Sequence, residues 1–164
     1  MLQVGQSLAR RMALPGASVE PIGLELTGFC EQFVSDYHQA KEFHLFTCLL
    51  RSRHSVLITP IVGLHYEHSK LTQMSESLTV AWRLTTEGLV GGCELCAGTL
   101  ADYVALLQAH LLKEDRFYGV VAHLLDDSDQ AQLGAAFAQL ELATATAGGH
   151  ERYVRWAVDQ ATRA

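Results

Sequence analysis

His38-Gln39-Ala40-Lys41-Glu42 and His110-Leu111-Leu112-Lys113-Glu114 repeat one pattern, a histidine four residues ahead of a glutamate. Each lies in an apolar helical pattern, and on a helix positions i and i+4 stand one above the other on one face. Each pair therefore offers an imidazole and a carboxylate to a common point. Between them, His65-Tyr66-Glu67-His68 falls in another helical stretch. Three helices presenting such groups inward predict a metal site.

Working outward, helical periodicity dominates the chain and no convincing period-two strand interrupts it. Residues 2–13 read as a short first helix closed by Pro15-Gly16, and Ser18 as the cap of a long helix to about residue 53. The inner stripe of that helix is Cys30, Phe33, Val34, Tyr37, His38, Glu42, Leu45 and Leu49. Thr59-Pro60 reads as the next start, with Thr59 at the N-cap and Pro60 at the first helical position. Its stripe is Ile61, Leu64, His68, Leu71, Ser75, Leu78 and Trp82, ended by Gly88 and Gly91-Gly92. A further long helix covers roughly 95–125, with Tyr103, Leu106, His110, Glu114, Phe117, Val121 and Leu124 on one face. Asp126-Asp127-Ser128 caps a shorter helix over about 128–144, and Gly148-Gly149 separates a last one through Tyr153 and Trp156. Long helices joined by short connections predict an all-α, up-down antiparallel four-helix bundle with one or two additional C-terminal helices.

Spacing alone is cheap, since roughly one histidine-x3-acid match is expected by chance in such a chain. His123-x3-Asp127 is a third match, read as a helix end. The other two pairs differ because they sit along otherwise apolar stripes. Burying a carboxylate there costs several kcal/mol, on the order seen for unpaired buried charge, unless something pairs with it. Two such carboxylates in one bundle also repel each other, and a cation between them removes both problems. In the competing reading both glutamates turn outward and the histidines are ordinary core residues. His65 is read as a group supporting the site or as a further ligand, and Glu67 as facing outward or accepting a hydrogen bond. Lys41 and Lys113 read as helix-surface charges, and His44, His54 and His150 as surface or loop residues.

A chain of 164 residues, 49% apolar and 18% charged, fits one domain with a substantial core. A formal charge of −6 argues against a nucleic-acid partner, because phosphate binding needs a basic surface. The apolar runs are broken before 18 residues and the N-terminus lacks an apolar core segment, so neither a membrane span nor a signal peptide is expected. Four cysteines are few for a disulfide framework, and the expected compartment is the cytoplasm. Cys93-Glu94-Leu95-Cys96 is a single C-x2-C without a second pair, which reads as ordinary thiols rather than zinc ligands. No nucleophile elbow or glycine-rich phosphate loop is present to support hydrolysis.

With these residues in view, the chain resembles the hemerythrin-like family of cation-binding domains over roughly residues 20–162. The family's H-x-x-K-E-x-x-L-F is similar to His38 through Phe46, its Pro-Ile start and Glu-His pair to Pro60-Ile61 and Glu67-His68, and its H-x-x-K-E-D to His110 through Asp115. A tail similar to Gly149-His150-Glu151-Arg152-Tyr153 is common in its bacterial members. The resemblance implies a non-haem di-iron site in the bundle, with His38, His68 and His110 as terminal ligands and Glu42 and Glu114 as bridges. Imidazole and carboxylate suit iron, and no thiolate is in register with them. The pattern departs from the family at the first helix, where Gly5 stands in the place of a histidine. Upstream sequence, a water or His65, or a site for one metal would each account for that departure. The implied function is binding or sensing of O2 or NO. The alternatives are iron donation to damaged iron–sulfur proteins and a metal-free interaction module. A homodimer is compatible with a short first helix that leaves apolar surface uncovered.

Overall fold

Every regular element is helical among the described residues of the computed structural model, which are 26–51, 55–145, Gln6, Gly23, Glu151, Arg152, 154–156, Val158 and Asp159. The expected helix over 2–13, the Ser18 cap and the Gly148-Gly149 break lie outside them. From Phe29 to His38 the chain winds as a π-helix, and its end is marked by the Gln39 N–H donating to the Val34 carbonyl, five residues back. It continues as α1, Gln39–Arg51. The long helix expected here is thus wound in two ways, and Phe29 joins Cys30, Val34 and Tyr37 in the interior. Within α1 Glu42, Phe46, Cys48 and Leu49 are buried. His38 and Leu45 are half-buried, and the Phe33 side chain lies outside the described set.

A single 3-10 turn, Ser55–Leu57, leads into α2, Ile58–Thr86. Thr59 is therefore not the N-cap. That position is Leu57, with no side-chain capping bond, because Leu57 and Ile61 are both drawn into the core at this end. Pro60 sits in the first turn, where its missing N–H removes no intrahelical bond. The expected α2 stripe is buried throughout, from Ile61 to Trp82.

Residues 87–91 turn the chain, with Gly88 at φ 71° and Gly91 at φ 82°, left-handed values that glycine adopts without a Cβ clash. α3, Gly92–Val121, then runs back along α2. It starts about a turn earlier than read, at a glycine whose added Cβ would lie 2.9 Å from the Thr85 nitrogen. By length and composition α3 is long and apolar enough to cross a membrane, with a window of mean hydropathy 1.3, a test that a core helix also passes. Its buried face carries His110 and Glu114 among Leu100, Tyr103, Leu107, Phe117 and Val121.

α4, Asp127–Ala145, begins where Asp126 Oδ1 accepts the Asp129 N–H at 2.8 Å, the expected cap. It lies antiparallel to α1. Cys48 donates to Asp129 Oδ1 at 3.2 Å near one end, and Tyr37 and Lys41 donate to Glu141 Oε1 at 3.2 and 2.8 Å near the other. Trp156 stacks on Phe29 with ring centroids 6.0 Å apart.

The apolar interior falls into two clusters. One gathers Val34, Leu71, Leu107 and their neighbours towards Trp82, and the other gathers Phe46, Leu64 and Phe117 towards Leu57. Along α1, α2 and α3 alike, the polar residues Glu42, His68, His110 and Glu114 stand between the two. This is a polar layer in an apolar core.

Candidate metal centre

Glu42 from α1, His68 from α2, and His110 and Glu114 from α3 meet in that layer, all buried. One ligand atom from each lies within 4.8 Å of the others. Helical phase explains how each arrives: Glu42 follows the stripe to Phe46, His68 follows Ile61 and Leu64, and Glu114 is one turn beyond His110. His68 Nε2 lies 2.8 Å from Glu42 Oε2 and 3.7 Å from Glu114 Oε1. His110 Nε2 faces His68 Nε2 at 3.0 Å and also contacts Glu114 Oε1.

This donor set fits a cation. Glu42 Oε2 and Glu114 Oε1 are buried, and among the described residues neither accepts a well-aligned hydrogen bond: what faces them across the layer is the imidazole nitrogens of His68 and His110. Ligands about 2.0–2.2 Å from one ion stand roughly 3–4 Å apart, close to the spread seen here. Two imidazoles and two carboxylates suit first-row divalent metals. No cysteine belongs to the group, and all four are without disulfides.

Without a cation the charge is balanced by protons. Burial alone would depress the His68 imidazole, but the facing carboxylates of Glu114 and Glu42 prevail and push its pKa up to about 9. His38 is raised as well, chiefly by Glu114. Burial would raise the Glu114 carboxyl, but contacts with His110, His38 and His68 hold it far below the usual carboxylate range.

His38 stands at the rim, 34% exposed, with Nε2 3.4 Å from Glu114 Oε2 and 3.7 Å from Glu42 Oε2. It borders the group of four without belonging to it. His65 is exposed and outside the group, and its ring meets that of His68 edge-on at 6.3 Å.

Tyr118 had no role in the sequence reading, and of the two readings of Glu67 the structure realises the hydrogen-bond acceptor. Tyr118 donates its hydroxyl to Glu42 Oε1, and burial followed by that bond raises the phenol far above its ordinary value. Glu67 turns towards α3, where Oε2 lies 3.0 Å from His110 Nδ1 and Oε1 accepts from Lys113. Lys113 is an exposed helix-surface charge, as read, and pairs with Glu67, while the half-buried Lys41 pairs with Glu141. The available signal for Tyr118 was its place one turn beyond Glu114. No sequence spacing marks an interhelical partner such as Glu67.

Comparison with family models, with curated proteins and with solved structures returned no match for this chain.

Proposed function

We propose that this chain is a hemerythrin-like, up-down four-helix bundle that holds non-haem iron in its polar layer and binds or senses O2 or NO there. The observation that carries the reading is the convergence of two buried carboxylates and two buried imidazoles from three helices. The motif resemblance at His38–Phe46, Pro60–His68 and His110–Asp115 supports the choice of iron over other divalent metals. So does the mixed nitrogen and oxygen donor set without thiolate.

Glu42, His68, His110 and Glu114 would hold the metal, and His38 is the nearest further imidazole where a second ion would need one. Tyr118 orients Glu42 by occupying Oε1, which leaves Oε2 directed at His68 and the interior. The apolar clusters above and below the layer, including Phe46, Leu64, Leu71 and Leu107, keep bulk water away from it. Bound iron supplies a coordination position that a diatomic molecule can occupy.

Elemental analysis of protein purified without chelator, with absorption spectra under argon, O2 and NO, tests the proposal. About one to two irons per chain and a spectrum that changes with the gas are expected. No uptake after anaerobic addition of ferrous iron would overturn the metal reading. Bound iron indifferent to both gases would overturn the ligand reading and leave iron donation as the function to examine.

A further inference from the structure

Glu67 precedes His68 on α2, so its side chain leaves the helix about 100° around from the buried face. It does not enter the group of four. It reaches across to α3 instead, where Oε2 lies 3.0 Å from Nδ1 of His110. The Lys113 ammonium donates to the other oxygen, so both carboxylate oxygens act as acceptors. His110 itself is buried, and its Nε2 points into the layer towards His68 and Glu114.

We infer that Glu67 is a positioning residue: it holds the Nδ1–H of His110 and so commits Nε2 to the buried cluster. The Glu67 oxygens only accept, so the Nδ1 facing them carries a proton; Nε2 also faces a carboxylate, that of Glu114, and there a bound cation would take the place of a proton. Which imidazole nitrogen is left to bind a metal follows from the bond the other one makes. Carboxylates in this outer position orient a ligand ring and raise its basicity, and their loss typically weakens metal binding about 10–100-fold. Lys113 stands three residues beyond His110 on the same helix, so α3 carries both the ring and the cation that anchors its acceptor. The inference rests on the metal reading for its consequence, but the His110–Glu67 bond is a property of the metal-free chain.

The test compares the native chain with Glu67→Ala, Glu67→Gln and Lys113→Met. In metal-free, 15N-histidine-labelled protein, the native chain should show a slowly exchanging, downfield proton on His110 Nδ1. Glu67→Ala should lose it, and Glu67→Gln should keep it through the amide carbonyl. Affinity for Zn(II), and for ferrous iron under argon, should fall about 10–100-fold in Glu67→Ala. The fall should be only a few-fold, on the order of threefold or less, in Glu67→Gln and Lys113→Met, which keep the acceptor. An unchanged His110 proton in Glu67→Ala overturns the inference. So does a lowered melting temperature with unchanged metal affinity, which would make Glu67 an interhelical tie and nothing more. If the native chain takes up neither metal, the iron proposal fails, and the His110 proton still decides whether Glu67 sets the ring.

Discussion

His68 Nε2 and His110 Nε2 face each other at 3.0 Å across α2 and α3, with the carboxylates of Glu42 and Glu114 directed at the same place. Two ring nitrogens that close do not suit two protons between them. Lone pairs directed at a shared cation suit the arrangement better. The meeting depends on the hairpin register, which is set where Gly92 packs against the backbone of Leu84 and Thr85.

Replacing Glu42 with Ala should cost both metal and stability. His68 loses its nearest partner and Tyr118 loses its acceptor, and breaking a buried pair of this kind costs about 3 kcal/mol. Added ferrous iron should raise the melting temperature of the native chain, by an amount equivalent to about 2.7 kcal/mol at one hundred times its dissociation constant. The increase should vanish in Glu42→Ala. Glu42→Gln keeps the shape and is the control for folding. Thermal melts with and without iron measure all three.

Gly92 and Gly98 should respond in opposite directions to alanine. A Cβ at Gly92 would meet Thr85 N at 2.9 Å and Leu84 C at 3.0 Å, backbone atoms that can yield only if α2 and α3 part. Overpacking of that sort costs about 1–3 kcal/mol. Gly98 is exposed within α3 with nothing near its added Cβ, so Gly98→Ala should stabilise by roughly 0.5–1 kcal/mol. Urea unfolding of the two variants gives both signs directly.

Stability should fall at alkaline pH through the buried thiols. Burial, partly offset by Tyr103, pushes Cys30 up to about 12. Burial and then the Asp129 bond push Cys48 up to about 11, and burial does the same for Cys96. The ordinary value for each is 9.0. A folded-state value raised above the unfolded one leaves stability intact below pH 9 and erodes it as pH rises towards 11 and 12, because only the unfolded chain releases those protons. Urea midpoints measured from pH 8 to 10.5 should decline above pH 9, and the decline should be shallower in Cys30→Ala.

Asp126→Ala should loosen α4. The carboxylate accepts the Asp129 N–H at 2.8 Å, and losing such a cap costs about 1 kcal/mol. Because Glu141 on α4 ties down Tyr37 and Lys41, hydrogen exchange should quicken along α4 first. Uniform change along all helices would count against a local cap.

Much of this was legible in the chain. The α2 stripe from Ile61 to Trp82 follows from periodicity and is buried as read, as are Tyr103, His110, Glu114, Phe117 and Val121 on α3, whereas Leu106 is half-buried beside a buried Leu107 and Leu124 lies beyond the helix end. Asp126 announced the start of α4. The Thr59-Pro60 signal misplaced the start of α2, because core contacts of Leu57 and Ile61 extend the helix past the local cap residue. The π-winding of Phe29–His38 had no local signature either.

The sequence by itself determined which residues share a helix face: His110 with Glu114, His38 with Glu42, and His68 within its apolar stripe. That follows from the fixed turn of a helix, which needs no neighbour. Only the tertiary structure decided which faces meet and at what height. It brought Glu42 within 2.8 Å of His68, left His38 at the rim and His65 outside, and turned Glu67 onto His110. Axial register and rotation between helices come from side-chain packing and from connections such as residues 87–91, and no spacing within one helix encodes them.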